Sequence, residues 1–168
     1  TKNATYLEAA DAYMQSSLDH VNTIDVTNVG FLWGRTGVYT LAAVLASIKG
    51  DTAASDSYIA QVQSVFDQAS SDVYAKWDDF DAGRAGLLYA SSFLNNFFGR
   101  DDVIARKSIV AVAQAVITRG KAVSQSPDYL QWVSPNDGES WLGQSHGSAG
   151  ILGPLLDVPE LLVWGSES

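Results

Sequence analysis

Cysteine is absent from this 168-residue chain, which removes disulfides and thiolate metal sites from consideration. Histidine is nearly as scarce, with His20 and His146 as the only imidazoles. Basic residues are the next shortage: 10 Lys+Arg stand against 19 Asp+Glu, for a net charge of −9. Without a Lys/Arg-rich run the chain is a poor partner for nucleic acid, whose affinity draws on phosphate neutralisation. Anionic membrane surfaces are disfavoured on the same ground. The longest apolar run, Val38 to Ile48, falls short of the roughly 20 residues a bilayer-spanning helix requires, so no transmembrane segment is expected. The start, Thr1 to Tyr6, has neither an initiator Met nor a hydrophobic stretch, so no signal peptide is expected and the chain reads as a piece of something longer. Asn3-Ala4-Thr5 is a glycosylation sequon, which carries little weight without an export signal. Neither G-x-G-x-x-G nor the phosphate-loop pattern occurs, so no nucleotide fingerprint explains the glycines.

What is present is a globular composition on the apolar side, 46% hydrophobic and 17% charged. The length suits one domain, or part of a larger one, with a real core. One arrangement recurs three times: an amphipathic helix, a glycine-rich turn, then a helix apolar on nearly every side. In the first unit Leu7, Ala10, Met14, Leu18 and Val21 recur three or four residues apart among Glu8, Asp11, Gln15 and Asp19, which predicts a helix with one packed face. The turn Gly30 to Gly37 leads into VYTLAAVLASI, stopped at Lys49-Gly50. The second unit sets Tyr58, Val62, Val65, Phe66, Ala69 and Val73 on one face, passes the turn Asp81 to Gly86, and runs LLYASSFLNNFF up to Gly99. The third starts near Asp101-Asp102 with VIARKSIVAVAQAVITRG, where length and the preceding acids favour helix over strand. It crosses a polar loop and reaches Gly143 to Gly150 and Ile151-Leu152.

The matching glycines Gly37, Gly86 and Gly150 stand 49 and 64 residues apart, a loose repeat. A helix apolar all round needs cover on both sides, whereas an amphipathic one can face water. Their alternation predicts an all-α fold with inner and outer helix layers, as in αα-hairpin solenoids and toroids. The glycines let backbones approach closely, and they are expected to leave N–H groups pointing at the end of the layer where a ligand would sit.

Candidate site residues cluster at those turns. Gly143-Gln144-Ser145-His146-Gly147 matches the G-x-S-x-G nucleophile elbow, but no strand precedes it and no histidine occurs in the 21 residues after Gly147. The interest therefore moves from Ser145 to His146. In Lys76-Trp77-Asp78-Asp79-Phe80-Asp81, the carboxylates of Asp79 and Asp81 either cap the following helix or exchange a proton with a histidine such as His146. Arg35 and Arg84 directly follow Gly34 and Gly83 of their turns, where they would meet an anionic substrate or pair with these aspartates. His20 reads as a surface residue near a helix end.

The stretches GFLWGRTGVYTLAAVL (Gly30 to Leu45), AGRAGLLYASSFLNN (Ala82 to Asn96) and WLGQSHGSAGILGPLL (Trp141 to Leu156) resemble the lanthionine synthetase C-like (LanC-like) family, in its order and at comparable intervals. The resemblance covers most of this chain and about the first half of a family member. It implies an α/α toroid, here a partial arc of about three hairpins forming one N-terminal domain over residues 1–168. It also implies a zinc-dependent enzyme that adds a thiol to dehydroalanine or dehydrobutyrine. The thiol is the peptide's own cysteine in bacterial members and glutathione in eukaryotic ones. In the family, two cysteines and a histidine on later turns hold the zinc, which presents a thiolate. Carried across, His146 matches the His-Gly histidine, a candidate acid/base, and Asp79, with Asp81 next, matches an aspartate before the second glycine turn. No residue here matches a zinc ligand, so zinc is expected only in the full-length protein and the chain alone is expected to be inactive. Glutathione or a dehydrated peptide is the expected partner, the expected location cytoplasmic or peripheral at the plasma membrane. The cut edge of such an arc predicts poor solubility or self-association. Two other readings stand beside this: a non-catalytic peptide- or glutathione-binding module, and a carbohydrate-active α/α toroid using Asp79 and Asp81 as a carboxylate pair.

Overall fold

The three- and four-residue periodicities become six α-helices, and among the described residues there is no strand. The computed structural model describes residues 2–161; the Asn3 side chain of the sequon lies outside the described residues. Helices α1 (Lys2–His20), α3 (Thr52–Ala69) and α5 (Arg106–Val123) alternate with α2 (Arg35–Ile48), α4 (Arg84–Phe98) and α6 (Ser148–Leu156). The second set forms a row, α2 against α4 and α4 against α6. The first set backs it, α1 on α2, α5 on α4, and α3 on both α2 and α5. This is the layered all-α arrangement of stacked hairpins, an arc of an α/α toroid.

Burial follows the expected division. On α4 the buried positions run almost continuously through Arg84, Ala85, Gly86, Leu87, Leu88, Ala90, Ser91 and Leu94. On α3 they are confined to Ser55, Val62, Phe66 and Ala69, one stripe on a wet helix. Each fully buried Leu, Ile or Phe contributes about 1.5–3 kcal/mol, so Phe66, Leu87, Leu88, Leu94, Ile104, Ile109 and Ile151 anchor the two layers. Asp51 starts α3 by accepting a hydrogen bond from the Ala54 amide (2.9 Å), an ordinary N-cap. Gly99 ends α4 at φ +66°, a left-handed C-cap that suits glycine.

Three boundaries differ from the periodicity. Helix α5 begins at Arg106, so Asp101 and Asp102 do not sit in its first turn. The chain before it is held instead by the buried side chains of Val103 and Ile104 and by a bond from the Ala105 amide to Gln63 Oε1 (2.7 Å). Val73 is exposed, because α3 has already ended at Ala69. Helix α1 rests on α2 through half-buried Leu7, Met14 and Leu18, while Ala10 faces solvent. The polar loop after α5 is pinned by Trp132, whose indole donates to the Val116 carbonyl (3.1 Å). The 3-10 turn Pro159–Leu161 is tied to α5 by Arg106 and Glu160 (2.7 Å), a pairing that holds the Glu160 carboxyl at about 2.

Candidate functional site

The three glycine turns repeat one backbone design. Gly34, Gly83 and Gly147 immediately precede α2, α4 and α6, and Gly37, Gly86 and Gly150 occupy the third helical position. A Cβ on those three would stand 1.8, 2.0 and 1.7 Å from the carbonyl oxygens of Phe31, Phe80 and Gln144. Each loop therefore folds back flat against the helix it starts. In the second turn the Arg84, Ala85 and Gly86 amides donate to the Trp77, Asp78 and Asp79 carbonyls; in the third, Ser148 and Ala149 donate to Trp141 and Leu142. These amides are the unpaired donors of a helix N-terminus. The loop consumes them, so they do not point at a ligand, contrary to the expectation from the glycines alone.

Successive turns are also bonded to one another. The Gly30, Phe31, Leu32 and Trp33 amides donate to the Ala82, Phe80 and Asp81 carbonyls, and the Phe80 amide donates to the Ser145 carbonyl. Gly30, Asp79 and Gly143 are thus equivalent in register, as are Leu32, Asp81 and Ser145, and Trp33, Ala82 and His146. This stacking brings residues 67 and 65 apart in sequence to one point. His146 Nδ1 lies 3.1 Å from Asp79 Oδ2, and Nε2 lies 3.6 Å from Asp81 Oδ2. An ionised carboxylate only accepts, so His146 donates from Nδ1 to Asp79. The other Asp79 oxygen accepts from the Ala82 and Gly83 amides, 2.8 and 3.2 Å. Ser145 Oγ donates to Asp81 Oδ2. The Trp33 ring packs beside the imidazole at 5.3 Å between centroids. His146 keeps 37% of its side chain exposed, whereas Asp79 and Asp81 keep 6% each. The result is a solvent-facing imidazole held from below by buried carboxylates. Asp79 and Asp81 converge on one ring instead of flanking a gap, which removes the basis for a glycosidase-type pair. Ser145 faces Asp81 and no strand precedes it, so the nucleophile-elbow geometry is absent.

The two arginines lie elsewhere. Arg84 is 2% exposed, and its Nε donates to Asp78 Oδ1 at 2.6 Å, the two forming a buried ion pair. Its guanidinium is committed to the interior instead of being offered to an anionic substrate. Burial pushes the Asp78 carboxyl up, outweighing the pull of Arg84, as desolvation does for buried pairs. Arg35 donates to the Ile24 carbonyl (3.3 Å) and lines a cavity with Tyr39, Gln61 and Gln68, away from His146. His20 is exposed and bonded to the Ser16 carbonyl. Sequence reasoning missed Trp33 and the hydrogen-bonding role of Ser145. The turn register, with Trp33 aligned to His146 and Ser145 to Asp81, is the signal that could have found them.

The model for the family described as "Lanthionine synthetase C-like protein" matches residues 1–162. The chain belongs to this family. It is also similar to the LanC-like protein GCL1 of Arabidopsis thaliana, 28% identical over 138 residues, covering 79% of this chain and 32% of that protein. The chain thus spans about a third of the length of this curated LanC-like relative. The zinc that the resemblance implies does not fit the residues described. There is no cysteine, no three His, Cys, Asp or Glu side chains among the described residues form a metal-holding group, and the imidazole nitrogens of His146 face carboxylate oxygens instead of a common centre. No described helix is long and apolar enough to cross a membrane.

Proposed function

We propose that this LanC-like chain carries the proton-handling half of a site that adds thiols to dehydroamino acids, with His146 as acid/base and Asp79 as the residue that orients it. The observation that carries the reading is the 3.1 Å contact of His146 Nδ1 with Asp79, itself fixed by two backbone amides. A ring so held stays in one orientation, with Nε2 beside Asp81 Oδ2 at 3.6 Å and 37% of the side chain open to a substrate, the positioning general acid catalysis requires.

The step balances without further reagents. A thiolate sulfur bonds to the β-carbon of a dehydroalanine, and the π electrons move onto the α-carbon and its carbonyl as an enolate. His146 Nε2–H then delivers a proton to the α-carbon, leaving the neutral imidazole, and the proton given up by the thiol restores the imidazolium. The role of Asp79 is to hold the ring and to stabilise its charged form by accepting from Nδ1.

The thiolate enters this scheme already ionised, which dictates the test. An arene thiol, ionised near neutral pH, is mixed with a dehydroalanine peptide in the presence of the chain, and thioether formation is followed by mass. Because the supplied thiol is already ionised, the zinc whose absence is expected to leave the chain inactive toward ordinary thiols is not required. Acceleration of about 100-fold over buffer is expected, the low end for general acid catalysis, and His146→Ala removes it. No acceleration, or one that survives His146→Ala, contradicts the proposal.

A further inference from the structure

The geometry points to a charge preference at this site: it takes a cationic peptide segment with apolar neighbours, and Asp81 sets the preference. The inference deepens the reading above and rests on it for the identity of the site.

Position by position the turns differ where Asp81 stands. The equivalent residue is Leu32 in the first turn and Ser145 in the third, so the backbone design does not demand a carboxylate there. Asp81 is nonetheless 4% exposed. One oxygen serves Ser145 Oγ and faces His146 Nε2, while Oδ1 is buried with no hydrogen-bond partner. An unsatisfied carboxylate oxygen in the interior is costly unless a donor reaches it. Ser145 beside it is exposed, and a carboxylate turns readily about its terminal torsion, so a donor arriving over Ser145 meets it.

Three of the cations that could have answered this charge are engaged elsewhere. Arg84 is paired with Asp78, and Arg35 with the Ile24 carbonyl. Lys76 lies over the Trp77 ring at 5.4 Å. Together with Arg119 it lines a cavity shared with Asp78, Asp79 and His146, whose volume of about 20 Å³ has room for one water. A ligand at His146 therefore meets the Asp79 and Asp81 carboxylates, while Lys76 and Arg119 line a cavity of about 20 Å³, too small to admit it. Beside them Leu32 and Trp33 are 61% and 57% exposed, an apolar shoulder next to the imidazole. Lysine or arginine next to aliphatic side chains complements both features, whereas glutathione, with its two carboxylates, is repelled by them.

Calorimetric titration with two acetylated, amidated hexapeptides tests this, Leu-Lys-Ala-Leu-Lys-Ala and Leu-Glu-Ala-Leu-Glu-Ala, with glutathione as the third ligand. None contains a dehydroamino acid, so binding is read apart from the addition reaction. The lysine peptide is expected to bind about tenfold more tightly than the other two, the effect of one partly desolvated charge contact. Asp81→Asn abolishes the difference, and Trp33→Ala weakens both peptides. Should Asp81→Asn fold poorly, salt gives the same answer in the unaltered chain, the preference shrinking between about 0.05 and 0.5 M. Equal binding of the two peptides, tighter binding of glutathione, absence of binding, or a preference that survives Asp81→Asn each overturns the inference. A preference that holds while thiolate addition is not accelerated would support the charge selection and remove the acid role alone.

Discussion

Arg84→Ala is expected to cost about 3–5 kcal/mol of folding stability, the loss that follows when one member of a buried ion pair is removed. The size comes from what is left behind. Asp78 is 8% exposed, and without Arg84 its carboxylate keeps no salt-bridge partner in the interior. A domain of this kind has only about 5–15 kcal/mol to lose, so denaturant unfolding should show a large fall in midpoint at similar slope. The companion experiment separates charge from packing. Replacing both partners with apolar residues of similar volume, Asp78→Leu with Arg84→Met, should restore most of the loss, because buried pairs contribute little beyond offsetting their own desolvation. The upward displacement of Asp78 despite its partner points the same way. A single substitution costing under about 1 kcal/mol would show that the pair is not buried as described. For the same reason Arg84→Ala cannot report on substrate binding, since its first effect is on the fold.

Gly86→Ala is the second large effect, with an expected cost above about 3 kcal/mol. The added Cβ would lie 2.0 Å from the Phe80 carbonyl oxygen and 2.4 Å from the Phe31 amide nitrogen, both main chain. Neither can move alone, because Phe31 and Phe80 are themselves bonded across the first and second turns. The damage should therefore spread along the stack, loosening the seat of Asp79 and His146 together. Gly99 supplies the control. It has a positive φ but nothing within 4 Å of a Cβ, so Gly99→Ala should cost only about 1–2 kcal/mol, the backbone penalty alone. Similar losses at both positions in thermal or denaturant unfolding would contradict close turn stacking.

Much of this architecture is legible in the sequence because helices write their burial into short periods. The apolar run of VYTLAAVLASI and the stripe of Val62, Phe66 and Ala69 identify the two layers without any long-range information. The register of Gly37, Gly86 and Gly150 is also legible, and with it the pairing of His146 with a carboxylate just before the second turn. What the sequence does not disclose is how side chains of like chemistry are divided. Asp78, Asp79 and Asp81 lie within four residues, yet one is neutralised by Arg84, one orients His146, and one keeps an unpartnered oxygen. Only the path of the loop against α4 decides that. The place of the arginines just after the turn glycines suggests a ligand. Arg84 takes the other course open to it, pairing with Asp78 of the nearby aspartates, whereas the Ile24 carbonyl that directs Arg35 is announced by no local pattern. Trp33 is legible only once the turns are aligned with one another, since its proximity to His146 arises from bonds between turns far apart in the chain.

The central claim is that Asp79 of the second turn holds the imidazole of the third. Imidazole proton–nitrogen NMR tests it directly, and the chain's two histidines make assignment simple with His20→Gln. The account predicts a protonated Nδ1 on His146 whose hydrogen exchanges slowly and shows coupling across a hydrogen bond, both lost in Asp79→Ala while the helix signals persist. An Nδ1 of His146 without a proton, or one exchanging as fast as that of His20 and indifferent to Asp79→Ala, would contradict it.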